Sequence, residues 1–314
     1  MEVTPVSASE IRLDQNLTKA VGQQTDRRLF AAIGYVVLAI LAIVCLFPFL
    51  LIISSSLTKE SVIAIEGFQL FPTAFSLEAY GILFQYPEQM IRAYAVTISV
   101  TLLGTITGLL LTAMTAYCLS RKDFKWRNAF SFYFFFTTLF NGGLVPWYLL
   151  MVNYLHLKDT MLALIMPMLF NVFYIVVMKS FMSQVPEAIV ESAKLDGAGD
   201  FLIFIRLIVP LSKPALATIG LFLALGYWND WYHALLFVSD EKLMPLQYYL
   251  YKMLGNLDGM RKAMAESGAV MTTNMPTESL KMAMTIVACG PILIAYPFIQ
   301  KYFVQGLTIG AVKG

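Results

Sequence analysis

Apolar residues recur along this chain in six long blocks separated by polar stretches, at 30–53, 93–119, 129–148, 160–182, 215–238 and 280–304. Each block reaches about the ~20 residues that a helix needs to cross the hydrocarbon of a bilayer. Hydrocarbon offers no hydrogen-bond partners, so a spanning segment must satisfy its own amides. Runs of this length do so as helices, whereas barrel strands would be shorter and alternate apolar with polar. The pattern therefore predicts an all-α polytopic membrane protein of about six transmembrane helices. Composition agrees: 58% of the 314 residues are hydrophobic and 13% charged, with a mean hydropathy of +0.69. A soluble domain could not cover so much apolar surface.

The polar stretches set the organisation. Residues 1–28 carry both signs of charge and do not resemble a cleavable signal, so they read as a cytoplasmic N-terminal tail ahead of one membrane domain at 29–314. With the N-terminus inside, most of the 22 Lys and Arg fall on the cytoplasmic side, most densely in the short turn holding Arg121, Lys122, Lys125 and Arg127. Both termini then read as cytoplasmic. Two long external insertions follow, at about 54–92 and 239–279, which are either functional or solvated connectors. Cys45, Cys118 and Cys289 all lie in apolar blocks and offer no disulfide framework. A net charge of +2 says little about partners, and without a basic stripe of the kind nucleic acid requires, no nucleic-acid partner is expected.

Polar groups at membrane depth face a protein interior or a water-filled path. The candidates are Asn141, Asn171, Asn229 and Asp230, with Trp228, Trp231, Tyr232 and His233 crowded beside the last two. Amides beside flat apolar rings suit a carbohydrate route, but Asn also joins helices and Trp and Tyr also anchor interfaces. Asn141-Gly142-Gly143 followed by Pro146 predicts an interrupted or kinked third span. Catalytic chemistry is absent from the pattern. There is no phosphate loop, no recognisable pair of nucleophile and base, and His156 and His233 have no metal-ligand spacing with the cysteines. The chain reads as neither an enzyme nor a metal protein, and any ATP hydrolysis falls to a partner.

Between the fourth and fifth blocks lies a polar segment, 184–213. Pro186 suits a first helical position, Glu187 favours a helix N-terminus, and Gly197 or Gly199 can end the helix. Phe201, Phe204, Ile205 and Ile208 then give a second helix an apolar face before Pro210 and Pro214. Helix physics alone allows either a docking knob or an interfacial connector. The sequence Glu191-Ser192-Ala193, with Gly197 four residues on and Leu207-Ile208-Val209-Pro210 after it, resembles the EAA loop of ABC-importer permeases. Ser192 departs from the second position, and Leu207 and Val209 are aliphatic substitutes. The ending from Lys301 to Gly314, the run Trp228-Asn229-Asp230-Trp231, and the stretch from Pro276 to Ala283 are similar to MalG-type carbohydrate permeases of the oligo- and polysaccharide branch.

That resemblance implies a permease subunit with several partners: a second related permease, two cytoplasmic ATPase subunits, an extracellular solute-binding protein, membrane lipid and a carbohydrate substrate. ATP and Mg would sit on the ATPases, with no cofactor in this chain. It places Glu187, Glu191, Ala193, Asp196, Gly197 and Pro210 in the coupling loop and brings the tail at 310–314 toward the ATPases; the residues at membrane depth, Asn141, Asn171, Trp228, Asn229 and Asp230, are the candidates for the translocation path. A lone ion-coupled transporter would instead need an intramembrane acidic relay, for which Asp230 is the one carboxylate inside a block. A membrane enzyme would need clustered acids or histidines. The orientation is testable by cysteine labelling. A site introduced near Lys122 should react only from the cytoplasm and one near Gly259 only from outside; reversed sidedness would overturn the assignment.

Overall fold

The computed structural model describes residues 8–266 and 277–311, with side chains for 29–260, 262, 263, 277–294 and 297. The side chains of the 1–28 tail and of the 301–314 ending lie outside the described residues. So do residues 267–276 of the second insertion.

Among the described residues the chain is helical throughout, without a strand. In order come α1 (Ala8–Ser56), α2 (Glu60–Glu66), α3 (Glu78–Leu83), α4 (Pro87–Ser120), α5 (Arg127–Leu139) and α6 (Leu144–Leu149), which runs into a π turn at Leu150–Tyr154. Then follow α7 (Met161–Ile165), α8 (Val172–Met182), α9 (Glu187–Leu195), α10 (Asp200–Ile203), a π turn (Phe204–Ile208), α11 (Val209–Leu211), α12 (Lys213–Trp228), α13 (Tyr232–Phe237), α14 (Leu246–Glu266) and α15 (Glu278–Ala311).

Leu29–Ser56 and Pro87–Ser120 are each long and apolar enough to cross a bilayer alone. Three further candidates are bent pairs: Arg127–Leu139 with Leu144–Tyr154 at 113°, Met161–Met168 with Val172–Met182 at 53°, and Asp200–Leu211 with Lys213–Trp228 at 83°. The 34-residue α15 covers the sixth apolar block. The third block is interrupted where the Asn141-Gly142-Gly143 pattern predicts, with a turn of 113°. One detail differs from the sequence reading: the fifth block ends as a helix at Trp228, with α13 a separate short helix.

α4 is the central post. It packs along α12 and α8, and α12 packs in turn on α15. Small residues make this possible: Thr97, Gly104, Gly108, Thr112 and Ala116 are buried along one side of α4. A Cβ on Gly104 would stand 2.5 Å from Cζ of Tyr227, and one on Gly108 would meet the Leu169 backbone at 3.5 Å. Small residues let helices approach closely where hydrocarbon removes the usual hydrophobic drive between them. The lipid-facing part of α1 is exposed and apolar around its circumference, as suits a peripheral span.

The breaks are closed by side chains. Pro291 has no N–H, so the carbonyl of Val287 loses its helical donor; the Tyr94 hydroxyl from α4 donates to it at 2.8 Å. One residue along, Trp228 Nε1 donates to the Ala288 carbonyl at 3.0 Å. Near the bend after α7, Leu169 N turns to the Met166 carbonyl, and the freed carbonyl of Ile165 takes the Tyr227 hydroxyl at 2.9 Å. Asn171 caps α8 by accepting from Phe173 N at 3.0 Å and Tyr174 N at 3.4 Å. Thr97 Oγ1 accepts from Leu246 N, the first amide of α14, at 2.8 Å. At the other end of α14's loop, the Glu60 carboxylate accepts from Glu278 N and Ser279 N, capping α15 at 3.0 and 2.9 Å.

Two tests follow from this packing. Gly104→Leu should prevent α4 and α12 from closing and should abolish assembly in the membrane, whereas Gly34→Leu, with open space around it, should be neutral. Tyr94→Phe should lower stability by about 0.5–2 kcal/mol. Pro291→Ala should restore it in the double variant, because residue 291 then donates to Val287 itself. Melting of the detergent-solubilised protein reads both, and equal additive losses would refute the Tyr94 role.

Candidate functional site

The 184–213 segment folds as a helix, a tight turn and a second helix lying across the end of the bundle. Pro186 precedes α9 in extended backbone, φ −56° and ψ 131°, one position earlier than the sequence reading placed it. α9 ends in a Schellman arrangement. Ala198 N donates to the Ala193 carbonyl and Gly197 N to the Lys194 carbonyl, both at 3.0 Å. Gly197 has φ +82°, which side chains other than glycine's resist. Ala193 and Gly197 are thus the two ends of one capping motif, and their four-residue spacing is the spacing of that motif. Both alanines, 193 and 198, pack on a core that includes Tyr117, Met182, Val190, Phe204 and Ile208.

Past the turn, the π turn adds a residue to the helical repeat and shifts the inward face. Ile203, Phe204 and Ile208 are buried, while Phe201 and Ile205 are exposed. The face expected from a 3.6-residue period is therefore half right. Ser212 is buried at the 83° corner, flanked by Pro210, which is exposed, and by Pro214.

Ion pairs tie this knob to the α4–α5 turn. Asp123 accepts Arg121 in bidentate fashion, Nε to Oδ1 at 3.0 Å and Nη2 to Oδ2 at 2.6 Å. Lys194 of α9 bridges Asp123 at 3.0 Å and Asp200 at 3.2 Å, and Lys122 reaches Glu187 at 2.6 Å. The hydrogen bonds from Arg121 and then Lys194 hold the Asp123 carboxyl well below the usual carboxylate range. A carboxylate with a depressed pKa keeps its contribution above the unfolded value and loses it only as pH falls through the folded one. The Asp123 carboxylate therefore stays ionised through the range in which ordinary carboxylates protonate, and its bonds to Arg121 and Lys194 persist there. Glu191 and Asp196 are exposed and make no ion pair among the described residues. Glu191 shares the outer face of α9 with Leu195, four residues on and 90% exposed.

The proposed path residues separate into two kinds. Asn171 is spent on capping α8, and Trp228 is buried between α12 and α15, with its N–H on the Ala288 carbonyl. Asn141 is exposed, and its Oδ1 accepts from Gly143 N at 2.9 Å, stabilising the turn whose Gly143 sits at φ +89°. Asn229 is exposed, donating to the Leu225 carbonyl at 2.9 Å and accepting from Gln247 Nε2 at 3.4 Å. Asp230 pairs with His233 Nδ1 at 2.8 Å and accepts from the His233 amide at 3.2 Å.

The fold brings the first and last of these regions together. Asn141, Gly142, Gly143, Pro146, Trp147 and Tyr232 line an open cavity of about 620 Å³. His233 stands edge-on to the Trp147 ring at 5.6 Å. Sequence reasoning missed the pairing of Asp123 with Lys194 of the loop, and Trp147, Gln247 and Tyr251 beside the 229–233 stretch. An acid inside the basic 121–127 turn was a signal for the first pair. For the second group there was none, since α6 and α14 are remote in sequence.

Comparison with known proteins places this architecture. Residues 104–309 match the family described as the binding-protein-dependent transport system inner membrane component. The polygalacturonan/rhamnogalacturonan transport system permease protein YtcP of Bacillus subtilis is 38% identical, with 91% of this chain and 99% of that protein covered. Protein LplC of the same organism is 39% identical over 91% and 96%. The trehalose/maltose transport system permease protein MalG of Thermococcus litoralis is 28% identical over 93% and 99%. A crystal structure of a bacterial ABC transporter involved in the import of the acidic polysaccharide alginate superposes at a TM-score of 0.74 and 29% identity, covering 96% of this chain and 100% of that one. With helices, loop and sequence in agreement, this chain belongs to the binding-protein-dependent transport system inner membrane component family, as a permease of ABC transporters.

Proposed function

We propose that this chain is one of two related permeases forming the route for an oligo- or polysaccharide into the cell. Its termini are cytoplasmic, and the 184–213 loop is the knob on which one of two cytoplasmic ATPase subunits docks. An extracellular solute-binding protein delivers the sugar to the opposite end, and ATP with Mg is held by the ATPases. The carbohydrate assignment rests on the relatives, named for polygalacturonan, rhamnogalacturonan, trehalose, maltose and alginate.

The observation that carries the docking assignment is the turn at Gly197. Two backbone bonds and a left-handed glycine fix the angle between α9 and the following helix, so a push on α9 passes to that helix, which the 83° corner joins to α12. Glu191 and Leu195 form the outward face, a charge beside an apolar knob. Glu187 and Lys194, already tied to Lys122 and Asp123, pass the same motion to α4. Exposed pairs of this kind add about 0–1 kcal/mol each, so their contribution is registration more than stability. In the outer half, Asn141 and Asn229 line the route with the Asp230–His233 pair behind them, and Asn171 and Trp228 hold its walls.

Gly197→Pro removes an amide donor and demands a φ near −65°, and Glu191→Lys reverses the free carboxylate. In membranes both should lower substrate-stimulated ATP hydrolysis and uptake and weaken ATPase co-purification, while the two permeases still pair. Gly197→Ala should fall between, at a cost of about 1–2 kcal/mol for a left-handed side chain. Asp123→Asn should leave melting nearly unchanged yet reduce uptake per ATP. Normal coupling in the first two variants would sink the docking assignment.

A further inference from the structure

Several rings and amides that close no helix break gather in one place. Trp231 and Tyr251 stack at 4.7 Å and 25°, and Tyr232 stands edge-on to Trp231 at 6.1 Å and 82°. All three are substantially exposed, at 39%, 47% and 41%. Gln247 lies one helical turn before Tyr251 on α14 and is bonded to Asn229. Tyr232 also lines the cavity that holds Asn141 and Trp147. The strip therefore runs without interruption from the α5–α6 turn to α14.

We infer that Trp231, Tyr232 and Tyr251, with Asn229 and Gln247 at their edge, form a carbohydrate-stacking subsite on this chain. This rests on the importer reading above. A pyranose presents C–H groups on its face and hydroxyls around its rim. The negative face of an aromatic ring receives the former, and side-chain amides receive the latter. After its bonds to Leu225 and Gln247, Asn229 keeps one N–H, and Gln247 keeps one N–H and its carbonyl. Exposed amides of this sort are costly against lipid. Rings that anchor at the interface sit at headgroup level; Trp231 and Tyr251 in addition stack on each other. The place also suits the task. The 16 residues of α12 rise about 24 Å from Lys213, which sets the strip near the far edge of the ~30 Å hydrocarbon layer, opposite the coupling loop.

The test uses the complete importer, purified with its second permease, ATPases and binding protein, in proteoliposomes with a galacturonate trisaccharide and an alginate trisaccharide as probes. Trp231→Ala and Tyr251→Ala should each lower sugar taken up per ATP by about tenfold, the scale of one lost stacking contact. Stimulation of ATP hydrolysis by the loaded binding protein should stay within about twofold, and Trp231→Phe should restore uptake. Unchanged uptake per ATP in both alanine variants would overturn the subsite while leaving the importer reading intact. Loss of the second permease from the purified variants would overturn it too, by making the strip a subunit interface. If the unaltered complex neither transports these sugars nor shows stimulated ATP hydrolysis, the importer reading fails, and the subsite with it.

Discussion

Inside hydrocarbon, a backbone carbonyl or amide freed by a broken helix has no water to turn to, and this fold depends on meeting that constraint. Four of the described helices are broken or begin within the bundle, and the gaps are met by specific side chains: Tyr94 for Val287, Trp228 for Ala288, Tyr227 for Ile165, Asn171 for the start of α8, Thr97 for the start of α14. Four of these donors and acceptors come from α4 or from the last turn of α12. The glycines of α4 let the Tyr227 ring lie close enough to reach across. Close packing and backbone satisfaction are therefore one arrangement: an added side chain at Gly104 would both push α12 away and strand the Ile165 carbonyl.

The same constraint separates polar residues that build the protein from those left for function. Trp228 and Asn171 are consumed by backbone repair. Asn229 and Gln247 retain bonding capacity and lie beside exposed rings. Burial alone would not have made this distinction, since Asn171 and Asn229 are both exposed. The hydrogen-bond partners make it.

At the opposite end, rigidity has a different origin. The loop at 184–213 is held by a left-handed glycine, a short apolar face and exposed ion pairs, none of them strong alone. Together they hold α9 in register with α4 through Asp123 and Lys194 and with α12 through the corner at Ser212. These contacts define angles more than they add stability, and backbone geometry at Gly197 supplies the angle.

The sequence by itself determined the helical class, the six apolar blocks and the loop, because hydrophobic length is a local property and the Ala193-to-Gly197 spacing records a local capping motif. It also located the break at Asn141-Gly142-Gly143. Only the tertiary structure decided how sharply that break turns, that a π turn would move Phe201 and Ile205 outward, and that the Trp228 N–H is taken by the Ala288 carbonyl. Those outcomes depend on which carbonyl lies opposite which side chain across helices far apart in the chain. The juxtaposition of Trp231 with Tyr251, and of Asn141 with Tyr232, is of the same kind: each is a distance in space between residues whose sequence neighbours carry no trace of it.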